Sequence, residues 1–140
     1  MTTIAYKDGI IAYDSLITCQ GVVSYKNYDK SRFVDGVRFF IAGAISDYDI
    51  IIKDWFSTRH KGVSGSALVV DVDSDIYECG YSDGKMWKEK LIKEHCLAIG
   101  SGWHFALMAM DLGLSAENAV KKVSERCIYT GGTIRTFKIE

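Results

Sequence analysis

The threonine at position 2 is the residue of this chain that could do the most chemistry by itself. A small hydroxyl residue after Met1 usually allows that methionine to be removed, which would leave Thr2 with a free α-amine beside its own hydroxyl. An unperturbed α-amine has a pKa of about 7.7, so it could accept the hydroxyl proton and activate the oxygen as a nucleophile. These residues favour an N-terminal-nucleophile hydrolase. The alternative is an ordinary threonine in an edge strand.

A second candidate, Asp14, lies in an apolar stretch between Tyr13 and Ser15. Burying a carboxylate without a partner is expensive, so a buried Asp14 would need a cation beside it. An aspartate on the solvent face of the same strand would need none. The residues themselves leave both interpretations open.

The elements that would position these residues follow from runs of β-forming residues and from turn signals. Asp-Gly pairs at 8–9 and 35–36 predict two hairpins, because Asp-Gly between two such runs is a strong hairpin signal. Strands are predicted at residues 3–6, 10–18, 22–25, 32–34, 37–42, 67–72, 76–79, 96–99 and 133–139. Helices are predicted at 48–58, capped by Ser46 or Asp47, at 103–111, and at 116–126, capped by Ser115. Antiparallel strands with grouped helices indicate an α+β protein.

The composition limits the classes of partner. The 140 residues include 17 basic and 18 acidic side chains, so no net field attracts nucleic acid or an anionic membrane. The basic segment 85–93 is interpreted as a solvated turn-and-helix edge. No apolar run reaches the roughly 20 residues of a membrane span, and Lys7 and Asp8 interrupt the N-terminal apolar residues that a signal peptide would need. We expect one domain over residues 1–140, located in the cytoplasm.

The four cysteines, at positions 19, 79, 96 and 127, have no C-x-x-C spacing. Because they are spread singly through apolar segments, they are interpreted as reduced, buried residues of a cytosolic protein. A zinc site that combines them with histidines is the alternative. The expectation is that the protein needs no metal and no cofactor.

Several motifs follow one another in a meaningful order. They are the opening threonines, Ala-Tyr-Asp-Ser at 12–15, Ala-Gly-Ala-Ile-Ser-Asp at 42–47, Gly-Ser-Gly at 100–102, Leu-Ser-Ala-Glu at 114–117 and Cys-Ile-Tyr-Thr at 127–130. Together they resemble the proteasome β-subunit family, and more closely its HslV-type bacterial peptidases, over nearly the whole chain. The resemblance implies a four-layer αββα sandwich with an abbreviated helical layer, because residues 47–67 have room for only one of the family's two helices.

The resemblance also implies roles for the charged residues. Thr2 would be the nucleophile and its α-amine the base. Lys30 follows Asp14 by sixteen residues, as the family's lysine follows its aspartate, so the two would form a charge pair beneath the nucleophile. Lys26 is the alternative lysine. Leu16 stands where the family usually has an arginine, which removes one charge from the surroundings of the site.

Further roles are implied for residues in the later motifs. Gly43 would donate its N–H to the oxyanion of the substrate, and Ser101 with Thr130 would bind the N-terminal amine and relay protons. Thr18 and Gly43 would bind an extended peptide through their backbones. Two isoleucines, Ile17 and Ile41, would line a pocket for the residue before the scissile bond. Cys127 is interpreted as a packing residue.

Three functions therefore remain open at the level of sequence. The first is a threonine peptidase for unfolded polypeptides, a homo-oligomer with a possible ATPase unfoldase as partner. The second is a catalytically silent scaffold or assembly module of the same fold that retains Met1. The third is an amide hydrolase that acts on small molecules.

Overall fold

The computed structural model describes residues 2–140 and divides the chain into two compact units. The first unit contains the chain up to Lys30 together with Ile92–Glu140, and the second contains Ser31–Leu91. The strands are β1 (Thr3–Lys7), β2 (Ile10–Tyr13), β3 (Ile17–Cys19), β4 (Val22–Tyr25), β5 (Ser31–Val34), β6 (Val37–Ala42), β7 (Ser66–Val70), β8 (Ile76–Ser82), β9 (Lys85–Lys90), β10 (Leu97–Gly100) and β11 (Arg135–Lys138). The helices are α1 (Tyr48–Phe56), α2 (Trp103–Asp111) and α3 (Ala116–Ser124).

The first unit is built on an antiparallel sheet with the strand order β10-β1-β2-β11. Ala5 pairs with Ala12 on one side and with Ala98 on the other, so three small side chains share one face of the sheet. Helices α2 and α3 pack on this face through Ala106, Met110, Ala119, Val120 and Val123. Alanine on the strands lets the helices lie close to the sheet, which explains a core made largely of small residues.

The second half of the predicted strand 10–18 is wrong. Strand β2 ends at Tyr13, and Ile17–Cys19 instead pairs with Val22–Tyr25 as a separate hairpin. Its turn, Gln20-Gly21, has φ values of +51° and +79°, as Asp8-Gly9 has. Two consecutive positive φ values fit the tight hairpin turn that matches strand twist. Gln20 gives no such signal in the sequence, so this turn was not predicted.

The second unit is an antiparallel meander in which β5 to β9 neighbour one another in chain order. The Trp55 ring of α1 packs edge-on against Phe39 and Tyr77, at centroid distances of 6.1 and 5.5 Å. Residues 85–90, interpreted from sequence as the edge of a turn and helix, form a strand paired with β8. This interpretation missed the Asp83-Gly84 turn, which joins β8 to β9 with positive φ values at both residues, as Asp8-Gly9 has. Strand β9 is an edge strand with only Met86 buried, and lysines are common on such edges.

The capping residues predicted for α1 and α3 had different outcomes. The Ser115 hydroxyl accepts a hydrogen bond from the Asn118 N–H at 3.1 Å, so the predicted cap of α3 is confirmed. Helix α1 has no side-chain cap bond from Asp47, and a 3₁₀ turn at Ile45–Asp47 leads into it instead. Among residues 2–140, no helix is long and apolar enough to cross a bilayer.

The two helix starts give a first prediction. Replacing Ser115 by alanine leaves the Asn118 N–H without its acceptor, and should lower the free energy of unfolding by about 1 kcal/mol. Ser46→Ala should change it by less than about 0.5 kcal/mol, because that exposed serine caps nothing. Urea unfolding of both variants measures the difference. Equal costs would contradict the assigned cap.

Candidate active site

A buried ion pair lies at the centre of the first unit. Asp14 directly follows β2, and Lys30 ends the irregular segment after β4. The Lys30 ammonium donates to Asp14 Oδ1 at 2.9 Å, and both side chains are 0% exposed. The interpretation of Asp14 as a buried, paired acid is therefore confirmed. Its alternative, an aspartate on the solvent face, is excluded.

The Asp14 carboxylate is held mainly by backbone groups. Oδ1 also accepts from the Thr3 N–H at 3.1 Å, and Oδ2 accepts from Gly131 N at 3.0 Å and Leu16 N at 3.4 Å. An ionised carboxylate can accept about four hydrogen bonds. Here three backbone N–H groups and the Lys30 ammonium donate to it. Four donors therefore surround the Asp14 carboxylate, which is 0% exposed.

The Lys30 ammonium also contacts the predicted nucleophile. Its Nζ donates to Thr2 Oγ1 at 3.0 Å, and Thr2 is 3% exposed. Burial lowers the pKa of Lys30, while the charge of Asp14 and its hydrogen bond act in the opposite direction. A buried ammonium beside a hydroxyl oxygen favours loss of the hydroxyl proton, because it stabilises the developing negative charge.

The backbone of Thr2 is fixed by the Gly-Ser-Gly turn. The Thr2 carbonyl accepts from Ser101 N at 2.6 Å and from Ser101 Oγ at 3.3 Å. Gly100, the first residue of this turn, has a φ of +95°, and a Cβ there would overlap the Thr2 carbonyl oxygen. This glycine is needed both for its conformation and for the close approach of the first strand.

A second group of polar side chains extends from the ion pair. Thr130 Oγ1 lies 2.7 Å from Thr3 Oγ1, and Cys127 Sγ lies 3.8 Å from Ser101 Oγ. Burial raises the pKa of the Cys127 thiol, but hydrogen bonds from Thr130, the Tyr129 backbone and Ser101 outweigh it and leave the pKa below its usual value. Cys127 is therefore part of a polar cluster, which the packing interpretation did not include.

The structure brings together Thr2, Asp14, Lys30, Ser101 and Thr130 of the predicted site. Ile17 and Thr18 lie in β3 of the same unit, at a register irregularity. Gly43 and Ile41 belong to the other unit. Ile41 is fully buried in β6, so its side chain presents no surface to a ligand in this structure.

Three contacts with Asp14 were not predicted from the sequence, those of the Thr3, Leu16 and Gly131 N–H groups. Thr3 contributes both a backbone donor to Asp14 and a hydroxyl to Thr130. Gly131 contributes only an N–H, which no residue type reveals. The double glycine at 131–132 was a usable signal, since a Cβ at Gly132 would overlap the Lys26 carbonyl.

Comparisons with known proteins show the fold. No protein-family model matches the sequence, and no curated protein matches it. Among solved structures, the chain is similar to Thiobacillus denitrificans BPH at a TM-score of 0.70 and 18% identity, over 99% of this chain and 98% of that chain. A structure of Thiobacillus denitrificans BPH in complex with epoxomicin matches at 0.70 and 19% identity with the same coverage. The likeness shows a shared fold.

The buried pair gives a second prediction. Asp14→Asn removes the charge opposite Lys30 and an acceptor for the surrounding N–H groups, so it should cost about 3–5 kcal/mol of unfolding free energy at pH 7. The folded-state pKa of Lys30, already lowered, falls further without Asp14. The cost of burying the charge is present below that pKa and is relieved as pH rises toward the unfolded value of about 10.4. Urea unfolding at pH 7 and pH 9.5 should show a smaller cost at pH 9.5.

The matched control is an exposed ion pair. Lys122 and Glu125 are in contact at 2.9 Å with side chains 63% and 60% exposed. Glu125→Gln should cost less than about 1 kcal/mol at either pH, since solvent screens such pairs. A pH-independent cost for Asp14→Asn would contradict the buried-charge explanation.

The third prediction concerns the glycine beside Thr2. Gly113 has a φ of +107° with nothing near its would-be Cβ, so Gly113→Ala should cost only the backbone strain of about 1–3 kcal/mol. Gly100→Ala adds the overlap with the Thr2 carbonyl and should cost about 1–3 kcal/mol more. Thermal or urea unfolding of both variants measures the excess. Equal costs would show that Thr2 does not approach Gly100 closely.

Proposed function

We propose that this protein is a threonine-type N-terminal-nucleophile peptidase that hydrolyses peptide bonds in unfolded polypeptides. The observation that carries the proposal is the contact between the Lys30 ammonium, Thr2 Oγ1 and Asp14, at 3.0 and 2.9 Å, in a buried site. A lysine buried only for stability would need its carboxylate but no hydroxyl of residue 2. The contact between the Lys30 ammonium and the Thr2 hydroxyl is the one that the proposed reaction requires.

Removal of Met1 is the first step of the proposed mechanism, because it converts the amide nitrogen of Thr2 into an amine that can accept a proton. The amine takes the proton from Oγ1, and Oγ1 attacks the substrate carbonyl carbon. When the tetrahedral intermediate collapses, the C–N bond breaks and the amine returns its proton to the leaving nitrogen. Water, deprotonated by the same amine, then hydrolyses the acyl ester on Thr2.

The charged residues would act on the first proton transfer. Lys30 stabilises negative charge on Oγ1 while its ammonium is charged. Because burial lowers the pKa of Lys30, this stabilisation is lost at a lower pH than for an ordinary lysine. Asp14 keeps the ammonium charged and fixes its position at neutral pH. Ser101 holds the Thr2 carbonyl through its N–H and hydroxyl, which fixes the rotation of the residue that carries both base and nucleophile.

The fold supports this proposal without deciding it. Thiobacillus denitrificans BPH, which has the same fold, occurs in complex with epoxomicin. Epoxomicin is an epoxyketone, a class of reagent directed at N-terminal threonine. We extend the proposal to an αββα arrangement with an abbreviated helical layer, a cytoplasmic location, a homo-oligomeric state and a possible ATPase unfoldase that supplies unfolded chains.

One observation favours the alternative of a catalytically silent scaffold that keeps Met1. Thr2 is only 3% exposed, so its hydroxyl has almost no surface for a substrate to meet. In that case the ion pair is a structural anchor for the first strand. The two functions differ in the state of the N-terminus.

The fourth prediction separates them. Protein purified from cells should have a mass short by one methionine, and it should form a one-to-one adduct with epoxomicin, because a free amine and hydroxyl on residue 2 are needed together. Peptide mapping should locate the adduct at Thr2 rather than at a cysteine. Thr2→Ala should abolish it, and Thr58→Ala, an exposed threonine of the second unit, should leave its rate unchanged.

An intact Met1 in the purified protein and no adduct would overturn the peptidase and favour the scaffold. Adduct formation with hydrolysis of small amides but not of unfolded casein would retain the mechanism and favour the small-molecule amide hydrolase.

A further inference from the structure

The segment that leads into β11 connects two parts of the site. Gly131 donates its N–H to Asp14, and its carbonyl accepts from Ser15 N at 3.0 Å. Thr133 N donates to the Lys26 carbonyl at 3.1 Å. The last strand is therefore joined both to the end of β2, which carries the aspartate, and to the irregular segment that leads to the lysine.

The Arg135 side chain makes the same connection with a single group. Its Nε donates to Ser15 Oγ at 3.1 Å, and one terminal nitrogen donates to Asn27 Oδ1 at 2.8 Å and to the Asn27 carbonyl at 3.4 Å. The other terminal nitrogen lies 3.8 Å from Asp29 Oδ2. A guanidinium is planar with donors in a fixed fork, so these bonds set the distance between residue 15 and residues 27–29.

A neighbouring tyrosine binds the same loop. Arg135 and Tyr13 are cross-strand partners, so their side chains share one face of the sheet. The Tyr13 hydroxyl donates to Asp29 Oδ1 at 3.2 Å, while the Arg135 guanidinium lies near Oδ2. Asp29 is thus bound from two adjacent strands, and the next residue along the chain is Lys30.

We infer that Arg135 is a positioning residue, which fixes the Asn27–Asp29 loop against Ser15 and thereby holds the Lys30 ammonium on Asp14 and Thr2. The loop between β4 and β5 has no regular structure, so its position depends on such contacts. The ion pair with Asp29 is partly exposed and contributes little by itself. The hydrogen bonds to Ser15 and Asn27 carry the constraint.

The test measures Lys30 directly and the reaction separately. In protein labelled with ¹³C-lysine, NMR follows the Lys30 ε-carbon through its titration, with a Lys30→Met variant for assignment. Arg135→Ala should raise the titration midpoint toward the usual lysine value, because water reaches a less constrained ammonium. The rate of the epoxomicin reaction should fall about 10- to 100-fold, as expected for a misplaced reacting group. Arg135→Lys, which offers a single ammonium nitrogen instead of a planar fork, should give intermediate values in both measurements.

Lys138→Ala is the matched control. Lys138 is an exposed cation on the same strand, outside the contacts described, and its removal should change neither measurement. If Arg135→Ala does not fold, Arg135→Lys and Tyr13→Phe provide the test, and both should shift the Lys30 midpoint upward.

The reaction readout rests on the proposed function, and the two can fail separately. A Lys30 midpoint and reaction rate unchanged in Arg135→Ala would overturn the positioning role and leave the peptidase standing. A shifted midpoint in Arg135→Ala, in a protein whose wild type forms no epoxomicin adduct, would retain the positioning role and overturn the peptidase.

Discussion

The contact between the Lys30 ammonium and the Asp14 carboxylate is the interaction on which the first unit depends. Both side chains are withdrawn completely from water, which costs several kcal/mol for each charge. Their mutual attraction offsets that cost only if the remaining hydrogen-bonding capacity is filled. The strand start at Thr3, the turn after β2 and the glycine segment before β11 supply the N–H groups that fill it. Distant parts of the chain are therefore held to one carboxylate.

This arrangement explains why so much of the site consists of backbone groups. Ser101 holds the Thr2 carbonyl mainly through its N–H, and Gly131 contributes only its N–H to Asp14. Gly100 allows the first strand to approach a turn more closely than any side chain would permit. The hydroxyl of residue 2 is in turn held by the Lys30 ammonium. A site of this kind is rigid because its scaffold is the sheet itself.

The predicted elements agree with the structure where local signals were strong. Asp-Gly turns fixed the hairpins around residues 8–9 and 35–36, and Ser115 marked the start of α3. The predictions failed for β9 and for the hairpin of β3 and β4. Strand β9 has one buried residue and four charged ones, so its own residues do not show a strand pattern. The Asp83-Gly84 turn that joins it to β8 was a local signal that the prediction missed. The hairpin of β3 and β4 turns at Gln20, and glutamine is not a residue type that predicts a turn.

For the site, the residues themselves pointed to a hydroxyl at residue 2 and an acid in an apolar stretch. The family resemblance, and not residue type, pointed to the lysine before β5 and to the polar residues in two later turns. Only the tertiary structure decided which backbone groups complete the charge pair and that Arg135 connects the aspartate's strand to the lysine's loop. The contacts of Gly131 and Arg135 join residues more than a hundred positions apart, and every residue except proline carries the same N–H whatever its side chain. Their partners are therefore set by the packing of the sheet and leave no signature in the residues themselves.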